Sequence, residues 1–281
     1  MSAQAVDDKN RLLIDTSPTS RWNLTAFSYA LMVNESFHFA EDFKLARPKS
    51  HMNQRFVPLF AHISDWIFDL DNCLYPASTG LFELIDQRMG AFIQRLLGVD
   101  SSEARRVQKA HFHEHGTTLA GLMREHQVDP HEFLRDVHSI PLDRVTRDDR
   151  LARNLGLLPG RKLIFTNADE PYARRVLEAL GVSEHFAELH DIHAADLRPK
   201  PDRHGYELLL ARFGIDPRSA AMVEDMAQNL RPAKELGMTT VWVDNGSERG
   251  NHGHHPDFID LTITNVGEWL EEMLDDDGDP K

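Results

Sequence analysis

The sequence predicts an α/β protein with a Rossmann-like parallel sheet core and an inserted all-helical cap subdomain. From residue 64 onward, short apolar segments alternate with stretches of helical apolar spacing, which is typical of parallel α/β structure. A long insertion after the first of these segments has helical spacing and no convincing strand. Most of the apolar segments finish at a polar residue, as expected where the strands of an open parallel sheet end at a ligand crevice.

The apolar segments are the candidate strands. They are WIF (66–68), KLIFT (162–166), AELHD (187–191), AAMVED (220–225) and TTVWVD (239–244). The polar residues at their ends are Asp69, Thr166, Asp225 and Asp244. Because the carboxyl ends of parallel strands meet at one edge of a sheet, we expect these four side chains to converge in one crevice.

Helices are expected between the strands. After KLIFT, we expect Asp169 to be the N-cap of a helix that has Pro171 in its first turn and ends at Gly181. The segments DRHGYELLLARFGI and AQNLRPAKELGM have similar spacing, and each also closes near a glycine. The core is therefore predicted to alternate strand and helix.

The insertion, residues 77–157, is predicted to be a separate helical cap. Its segments with helical spacing are FELIDQRMGAFIQRLLGV, SEARRVQKAHFHEHG, TTLAGLMREHQV and DPHEFLRDVHSI. An insertion that directly follows the first strand is well placed to cover the crevice as a lid.

The rest of the chain divides around this cap. Residues 53–76 and 158–270 are assigned to the core. Residues 1–52 have mixed polarity without a sustained period, and we expect them to form a peripheral or disordered leader. Residues 271–281 end in DDDGDPK and are expected to be a solvated acidic tail.

Composition excludes several classes of function. The chain has 281 residues with 41% apolar content, and its formal charge of −14 argues against nonspecific binding to a nucleic-acid polymer. No stretch reaches the roughly 18 apolar residues of a membrane span, and the N-terminus lacks the layout of a secretory signal. The single cysteine, Cys73, excludes an internal disulfide. We therefore expect a cytoplasmic protein that binds a small molecule and no membrane, with its oligomeric state left open.

The segment WIFDLDNCLYP ends the first strand with two acids. Residues i and i+2 of an extended segment point to the same side, so Asp69 and Asp71 can face one bound group together. Buried carboxylates need a compensating cation or water. An isolated pair of this kind is more often a turn or a helix N-cap without chemistry.

Two further segments offer groups for an anion. Thr166 and Asn167 follow the second strand at the opening of a helix, where their hydrogen-bonding groups suit a phosphate oxygen. RPKPD places Lys200 between two prolines that restrict the backbone, so its ammonium can be held close to an anion. Taken alone, these residues are an ordinary cap and an ordinary loop lysine.

The segment AMVEDMAQN ends a later strand with more acids. Glu224 and Asp225 are followed by Asn229 one helical turn further on. Such acids and an amide can share the coordination shell of a hard divalent ion. The alternative is a solvated helix start, but the ordered combination of all four motifs at successive strand ends favours a common site.

In these motifs the chain resembles the haloacid dehalogenase-like phosphatase superfamily from Asp65 to about Trp269. The motifs occur in the order and with the spacing of that superfamily. Within it, the start LDNCLYP and the cap stretch HFHEHGTTLAGLMREHQVDPHEFLRDVH resemble the pyrimidine 5'-nucleotidase subgroup.

The resemblance implies a role for each motif. Asp69 would be the nucleophile that forms an aspartyl-phosphate, and Asp71 the general acid and base. Mg²⁺ would be held by the Asp69 carboxylate, the main-chain oxygen of Asp71 and Asp225. The supporting residues implied are Thr166, Asn167 and Lys200 for the phosphoryl group, and Glu224 and Asn229 around the metal.

Some residues depart from the resemblance or add little to it. Cys73 stands where the superfamily usually has threonine, and a thiol is a poor substitute for a hydroxyl in hydrogen bonding. His111 and His115 can share a helix face, but the sequence identifies no third ligand, so it does not favour zinc. The candidate substrate-binding residues of the cap are Thr117, Thr118 and His138.

The sequence therefore favours a Mg²⁺-dependent phosphomonoesterase, and the subgroup resemblance implies a pyrimidine nucleoside 5'-monophosphatase. The alternatives are another small-metabolite phosphatase or phosphomutase of the superfamily, or a noncatalytic phosphate-binding regulatory protein. A haloacid dehalogenase is disfavoured because its chemistry needs neither an acid at Asp71 nor Mg²⁺.

Overall fold

The sheet of the computed structural model is parallel throughout, with strand order β3-β2-β1-β4-β5-β6 in the residues that the structure describes, 52–247 and 250–275. The strands are β1 (Asp65–Phe68), β2 (Arg161–Phe165), β3 (Glu188–His190), β4 (Ala220–Glu224), β5 (Thr239–Val243) and β6 (Leu261–Ile263). The predicted α/β fold is confirmed, and the five predicted strands match β1 to β5 within one residue at each end. Strand β6 was not predicted, because three partly exposed residues give too short an apolar pattern.

Ten helices accompany the sheet within the described residues. They are α1 (Val57–Phe60), α2 (Leu81–Leu97), α3 (Ser101–His115), α4 (Thr118–His126), α5 (Pro130–Val137), α6 (Asp149–Leu157), α7 (Glu170–Leu180), α8 (Arg203–Phe213), α9 (Ala227–Leu236) and α10 (Val266–Leu274). Helix α7 begins after Asp169, has Pro171 in its first turn and ends at Gly181, as predicted. None of the described helices is long and apolar enough to cross a membrane.

Side chains cover both faces of the central strands. On β1, Trp66 and Phe68 point into one apolar cluster, whereas Ile67 points into the other, and all three are fully buried. Alternate residues of a strand face opposite sides, so a strand that is buried on both faces has an unbroken apolar sequence. This burial fixes the register of β1 between β2 and β4 and so aligns the ends of these strands.

The helices α2 to α5 pack mainly on one another. Helix α3 lies against α2 and α4, and α2 also contacts α5, where the rings of Phe92 and Phe133 meet edge to face with centroids 5.1 Å apart. These four helices belong to the insertion after β1, and their role as a separate cap stays a prediction.

Helix α6, which we assigned to the cap, does not pack mainly on the other cap helices. It lies against α10, and Asn154 Nδ2 donates to the main-chain oxygen of Gly267 at 3.0 Å. The boundary predicted at residue 157 is therefore too late, because the apolar face of α6 is buried against the core. Residues 271–274, which we assigned to the acidic tail, are the last turn of α10.

The predicted ends of the chain fall largely outside the described residues. All of the leader 1–52 except residue 52, and residues 276–281 of the predicted tail, lie there.

Candidate active site

Lys200 joins the ends of three strands at the carboxyl edge of the sheet. Asp69 directly follows β1, its main-chain N–H donates to Val223 of β4 at 2.9 Å, and Glu224 is the last residue of β4. The Lys200 ammonium lies 2.7 Å from Asp69 Oδ1, 2.6 Å from Glu224 Oε2 and 2.9 Å from the main-chain oxygen of Phe165. Three acceptors match the three donors of an ammonium group, so Lys200 is fully bonded although it is only 3% exposed.

Three buried carboxylates lie together at this edge, and two of them, Asp69 and Glu224, contact Lys200. Oxygens of Asp69, Glu224 and Asp225 lie within 4.8 Å of one another, and each residue is buried. Burial raises the pKa of Asp69, and the Glu224 carboxylate raises it further, while Lys200 opposes both effects. Burial and the two neighbouring carboxylates also raise the pKa of Asp225. Burial alone would lower the pKa of Lys200, but its attraction to Asp69 and Glu224 outweighs this effect and raises the pKa. One ammonium among three carboxylates leaves an excess of negative charge.

The donor set at this edge fits a hard divalent cation. Glu224 uses one oxygen for Lys200 and the other for the main-chain N–H of Met226 at 3.2 Å. Asn229 is buried, and its Oδ1 has no hydrogen-bond partner among the described residues. Buried carboxylate and amide oxygens are ligands that Mg²⁺ prefers, and a cation would offset the excess negative charge. Asp69, Glu224 and Asp225 thus bring together carboxylate oxygens that would suit such a cation, and Mg²⁺ binding there stays a prediction.

Asp71 is held by two tyrosines. Its Oδ1 accepts hydrogen bonds from Tyr75 at 2.6 Å and from Tyr172 at 2.8 Å. Burial raises the pKa of Asp71, and the two hydroxyl donors only partly offset this. A carboxyl group with a raised pKa is suited to carry a proton near neutral pH. Neither tyrosine was predicted from the sequence, although Tyr75 lies four residues after Asp71 in the same motif.

His138 lies behind one of these tyrosines. Its ring stacks on Tyr172 with centroids 4.4 Å apart, and its Nδ1 lies 2.6 Å from Asp169 Oδ1. Burial raises the pKa of Asp169, but the bond with His138 outweighs this effect and lowers the pKa. Asp169 is the N-cap residue of α7, as predicted, and its side chain bonds His138. Contact between His138 and a substrate remains a prediction.

Thr166 and Asn167 have distinct partners after β2. Thr166 Oγ1 accepts from the main-chain N–H of Ala168 at 3.0 Å, which leaves the hydroxyl proton free for another acceptor. Asn167 bonds both main-chain groups of Lys200, accepting at 2.8 Å and donating at 3.3 Å. Asn167 therefore holds the loop that carries the lysine.

Other predicted residues are not joined to this acidic cluster by any hydrogen bond or ion pair among the described residues. Thr117 Oγ1 caps α4, and the Thr118 hydroxyl is buried within the cap, 3.5 Å from the main-chain oxygen of Gln108. Asp244, which we expected in the crevice, is exposed after β5. Its strand is separated from β1 by β4, so the expected convergence of all four strand ends is wrong for this residue.

The turn after β1 is fixed by two contacts that the sequence did not indicate. Asn72 has a φ of 58°, a left-handed conformation that asparagine tolerates, and its main-chain oxygen accepts a hydrogen bond from the Asn245 side chain. Cys73 is buried and its thiol donates to the main-chain oxygen of Val223 at 3.5 Å. The cysteine thus ties the turn to β4, with a weaker donor than a hydroxyl.

Comparison with known proteins identifies relatives of the chain. The model of the haloacid dehalogenase-like hydrolase family matches residues 67–237. Phosphate metabolism protein 8 of Saccharomyces cerevisiae is 29% identical over 194 residues, which cover 63% of this chain and 60% of that protein. Phosphoserine phosphatase of Thermus thermophilus is 34% identical over 112 residues, 40% of this chain and 42% of that protein. The chain thus spans less than two thirds of either relative.

A solved structure shares the fold. The crystal structure of a HAD phosphatase from Thermococcus onnurineus superposes with a TM-score of 0.53 at 19% sequence identity, covering 75% of this chain and 98% of that one.

Proposed function

The chain belongs to the haloacid dehalogenase-like hydrolase family, and on that premise we propose that it is a Mg²⁺-dependent phosphomonoesterase that acts through an aspartyl-phosphate on Asp69. The observation that carries the proposal is the position of the Asp69 carboxylate, which is held by Lys200 at 2.7 Å and lies among the oxygens of Glu224 and Asp225. The phosphoserine phosphatase among its relatives supports the same class of substrate.

In the first step, a carboxylate oxygen of Asp69 attacks phosphorus and the ester oxygen of the substrate leaves. Protonated Asp71 transfers its proton to that oxygen, so the product departs as an alcohol. Asp71, now ionised, then accepts a proton from water, and the water oxygen attacks the phosphorus of the aspartyl-phosphate. Inorganic phosphate leaves and both carboxyl groups return to their initial state.

The surrounding residues position and neutralise the phosphoryl group. Lys200 would stabilise its developing negative charge, and the free proton of Thr166 would bond one of its oxygens. Asp69, Asp225 and the main-chain oxygen of Asp71 would hold Mg²⁺, supported by Asn229. When bound, Mg²⁺ supplies the positive charge that lets a dianionic phosphate approach ionised carboxylates.

The proposed substrate is a pyrimidine nucleoside 5'-monophosphate such as UMP or CMP. This choice rests on the likeness of LDNCLYP and of the cap stretch to the pyrimidine 5'-nucleotidase subgroup. Phosphoserine is the second candidate, because the relative from Thermus thermophilus is named for it. Cytoplasmic location remains part of the proposal.

A phosphate-release assay on a panel of nucleotides, sugar phosphates and phosphoserine, with and without Mg²⁺, tests these points. We expect release that requires Mg²⁺ and is highest for UMP and CMP. Asp69→Asn should lower kcat by at least about 1,000-fold because the nucleophile is lost, while Asp244→Asn, at an exposed strand end, should not.

The possible outcomes separate the alternatives. Undiminished turnover by Asp69→Asn would refute the mechanism. A clear preference for phosphoserine would keep the phosphatase and reject the nucleotidase. Phosphate transfer to a sugar hydroxyl would identify a phosphomutase, and binding of Mg²⁺ and nucleotide without turnover would identify a regulatory protein.

A further inference from the structure

A second group of metal-ligand residues lies in the cap, on the helical hairpin formed by α3 and α4. Its members, which we call the cap cluster, are His111 and His115 of α3 with Glu125 and His126 of α4. The two histidines of α3 are four residues apart and share one helix face. No third ligand was evident from the spacing on α3, because the acid and the third imidazole come from the neighbouring helix.

The donor atoms of the cap cluster meet at Glu125, which forms one group with His111 and His126 and a second with His115 and Glu114. His115 Nε2 lies 2.9 Å from Glu125 Oε1, and His111 Nδ1 lies 3.6 Å from the same oxygen. Side-chain donor atoms of His111, Glu125 and His126 all lie within 4.8 Å of one another. Ligands about 2.1 Å from one tetrahedral Zn²⁺ are separated by roughly 3.4 Å, so the two measured distances bracket the required value.

The burial of His111 is not explained by an ordinary ion pair. The residue is only 3% exposed, and neither of its ring nitrogens has a hydrogen-bond partner among the described residues. Burying an unpaired polar group costs about 1 to 3 kcal/mol. The hydrogen bond between His115 and Glu125 satisfies one histidine and leaves His111 without a partner.

The backbone of α4 makes room for this imidazole. Gly121 has no side chain, and a Cβ atom at that position would overlap the ring of His111. The absence of a side chain lets α4 approach α3 closely at this point, so His111 is enclosed between the two helices. The centroid of the His111 ring lies 5.7 Å from that of His126 and 5.9 Å from that of His115.

We propose that the cap cluster is a binding site for a divalent transition-metal ion of the Zn²⁺ class, with His111, Glu125 and His126 as the ligands and His115 beside Glu125. Neutral imidazole and carboxylate are ligands that suit zinc. The ion would satisfy His111 and would join α3 to α4 within the cap. The site is separate from the oxygen-rich cluster at Asp69, which suits a harder cation.

Binding of Zn²⁺ to the full chain tests the proposal. The protein is stripped with chelator and placed in excess Mg²⁺, so that the carboxylates at Asp69 are occupied, and is then titrated with Zn²⁺ by calorimetry. We expect one equivalent to bind tightly and to raise Tm. Glu125→Gln and His126→Gln change exposed residues, so these variants should fold, and each should weaken Zn²⁺ binding at least tenfold.

The matched control is His113→Gln. This histidine is an exposed residue of α3 outside the cap cluster, and its replacement should leave the affinity and the Tm shift unchanged. Co²⁺ gives a second readout, since it should produce intense visible absorption in the unchanged chain and in His113→Gln but not in Glu125→Gln. Zn²⁺ binding that is absent, or that is equal in all of these variants, would overturn the proposal. Neither readout depends on phosphatase activity.

Discussion

The Tyr172 hydroxyl donates a 2.8 Å hydrogen bond to Asp71 Oδ1 and thereby connects α7 to the turn after β1. His138 stacks on the other side of this ring and is fixed by Asp169. Asp71 itself lies in a turn, so its orientation depends on groups outside that turn. Tyr172 contacts Asp71 directly and His138 contacts Tyr172, so Tyr172 is a positioning residue for the proposed general acid and His138 supports it.

We predict that Tyr172→Phe lowers kcat roughly 10- to 100-fold. A hydrogen bond to a charged group contributes about 1.5 to 3 kcal/mol, and each 1.4 kcal/mol corresponds to a factor of ten in rate. The loss should appear in kcat more than in KM, because Tyr172 contacts the acid. Steady-state phosphate release measures both constants.

A double-mutant cycle with Asp71→Asn separates this role from a loss of folding. If Tyr172 acts through Asp71, then Tyr172→Phe should have almost no further effect in the Asp71→Asn background. Equal losses in both backgrounds would contradict the positioning role.

The excess negative charge around Lys200 predicts that Asp225→Asn affects stability in opposite directions with and without metal. Without metal, the free energy of unfolding of the variant should be about 1 kcal/mol higher than that of the unchanged chain. The reason is that the substitution removes one buried carboxylate from a cluster that raises its pKa. With Mg²⁺ at about 100 times its Kd, the unchanged chain should gain about 2.7 kcal/mol and the variant much less. Urea unfolding in chelator and in Mg²⁺ measures the difference.

Asp244→Asn is the control for that experiment, since Asp244 also follows a strand but is exposed. It should respond to Mg²⁺ as the unchanged chain does. An equal gain from Mg²⁺ in Asp225→Asn would show that the ion binds elsewhere.

The buried thiol of Cys73 predicts a structural role in the turn. This thiol donates a 3.5 Å hydrogen bond to the main-chain oxygen of Val223, and a thiol is a weak donor. We expect Cys73→Ala to retain activity within about threefold and to lose at most about 1 kcal/mol of stability. Cys73→Thr, which restores a hydroxyl, should match or exceed the unchanged chain in urea unfolding. A loss of activity in Cys73→Ala as large as in Asp69→Asn would instead make the thiol catalytic.

The sequence predicted the strands and the acids at their ends because both depend on local patterns. An apolar run that ends in an acid places that acid at the edge of a parallel sheet, and this is where Asp69, Glu224 and Asp225 lie. Strand order depends on contacts between distant segments. The sequence therefore did not show that β4 separates β5 from β1, which leaves Asp244 outside the cluster.

Other contacts were not predicted for the same reason, because they join segments that are distant in the sequence. Tyr172 is separated from Asp71 by 101 positions, so no local spacing connects them. The amphipathic pattern of α6 shows that one face is buried, but it does not identify α10 as the partner. For His111, the spacing on α3 was visible, whereas Glu125 becomes a neighbour only when the hairpin forms.

The stability of the protein should depend on His190 in acid. This histidine ends β3 and is fully buried, with its ring centroid 5.2 Å from that of Phe165. Burial lowers its pKa from about 6.5 to about 4, and the positive charge of Arg212 adds to the effect, while Asp191 and Asp196 oppose it. The folded chain therefore holds His190 neutral at pH values where the unfolded chain protonates it.

The number of protons bound by each state determines whether the free energy of unfolding rises or falls with pH. Between pH 6.5 and 4 the unfolded state binds more protons at this residue, so the contribution of His190 is fully present above pH 6.5 and is lost as the pH falls towards 4, by up to about 3 kcal/mol. In His190→Leu this loss should disappear, and the free energy of unfolding should fall less steeply over that interval. Urea unfolding at several pH values measures the difference between the two chains. The exposed His252→Gln should follow the unchanged chain, and parallel curves for His190→Leu and the unchanged chain would contradict the prediction.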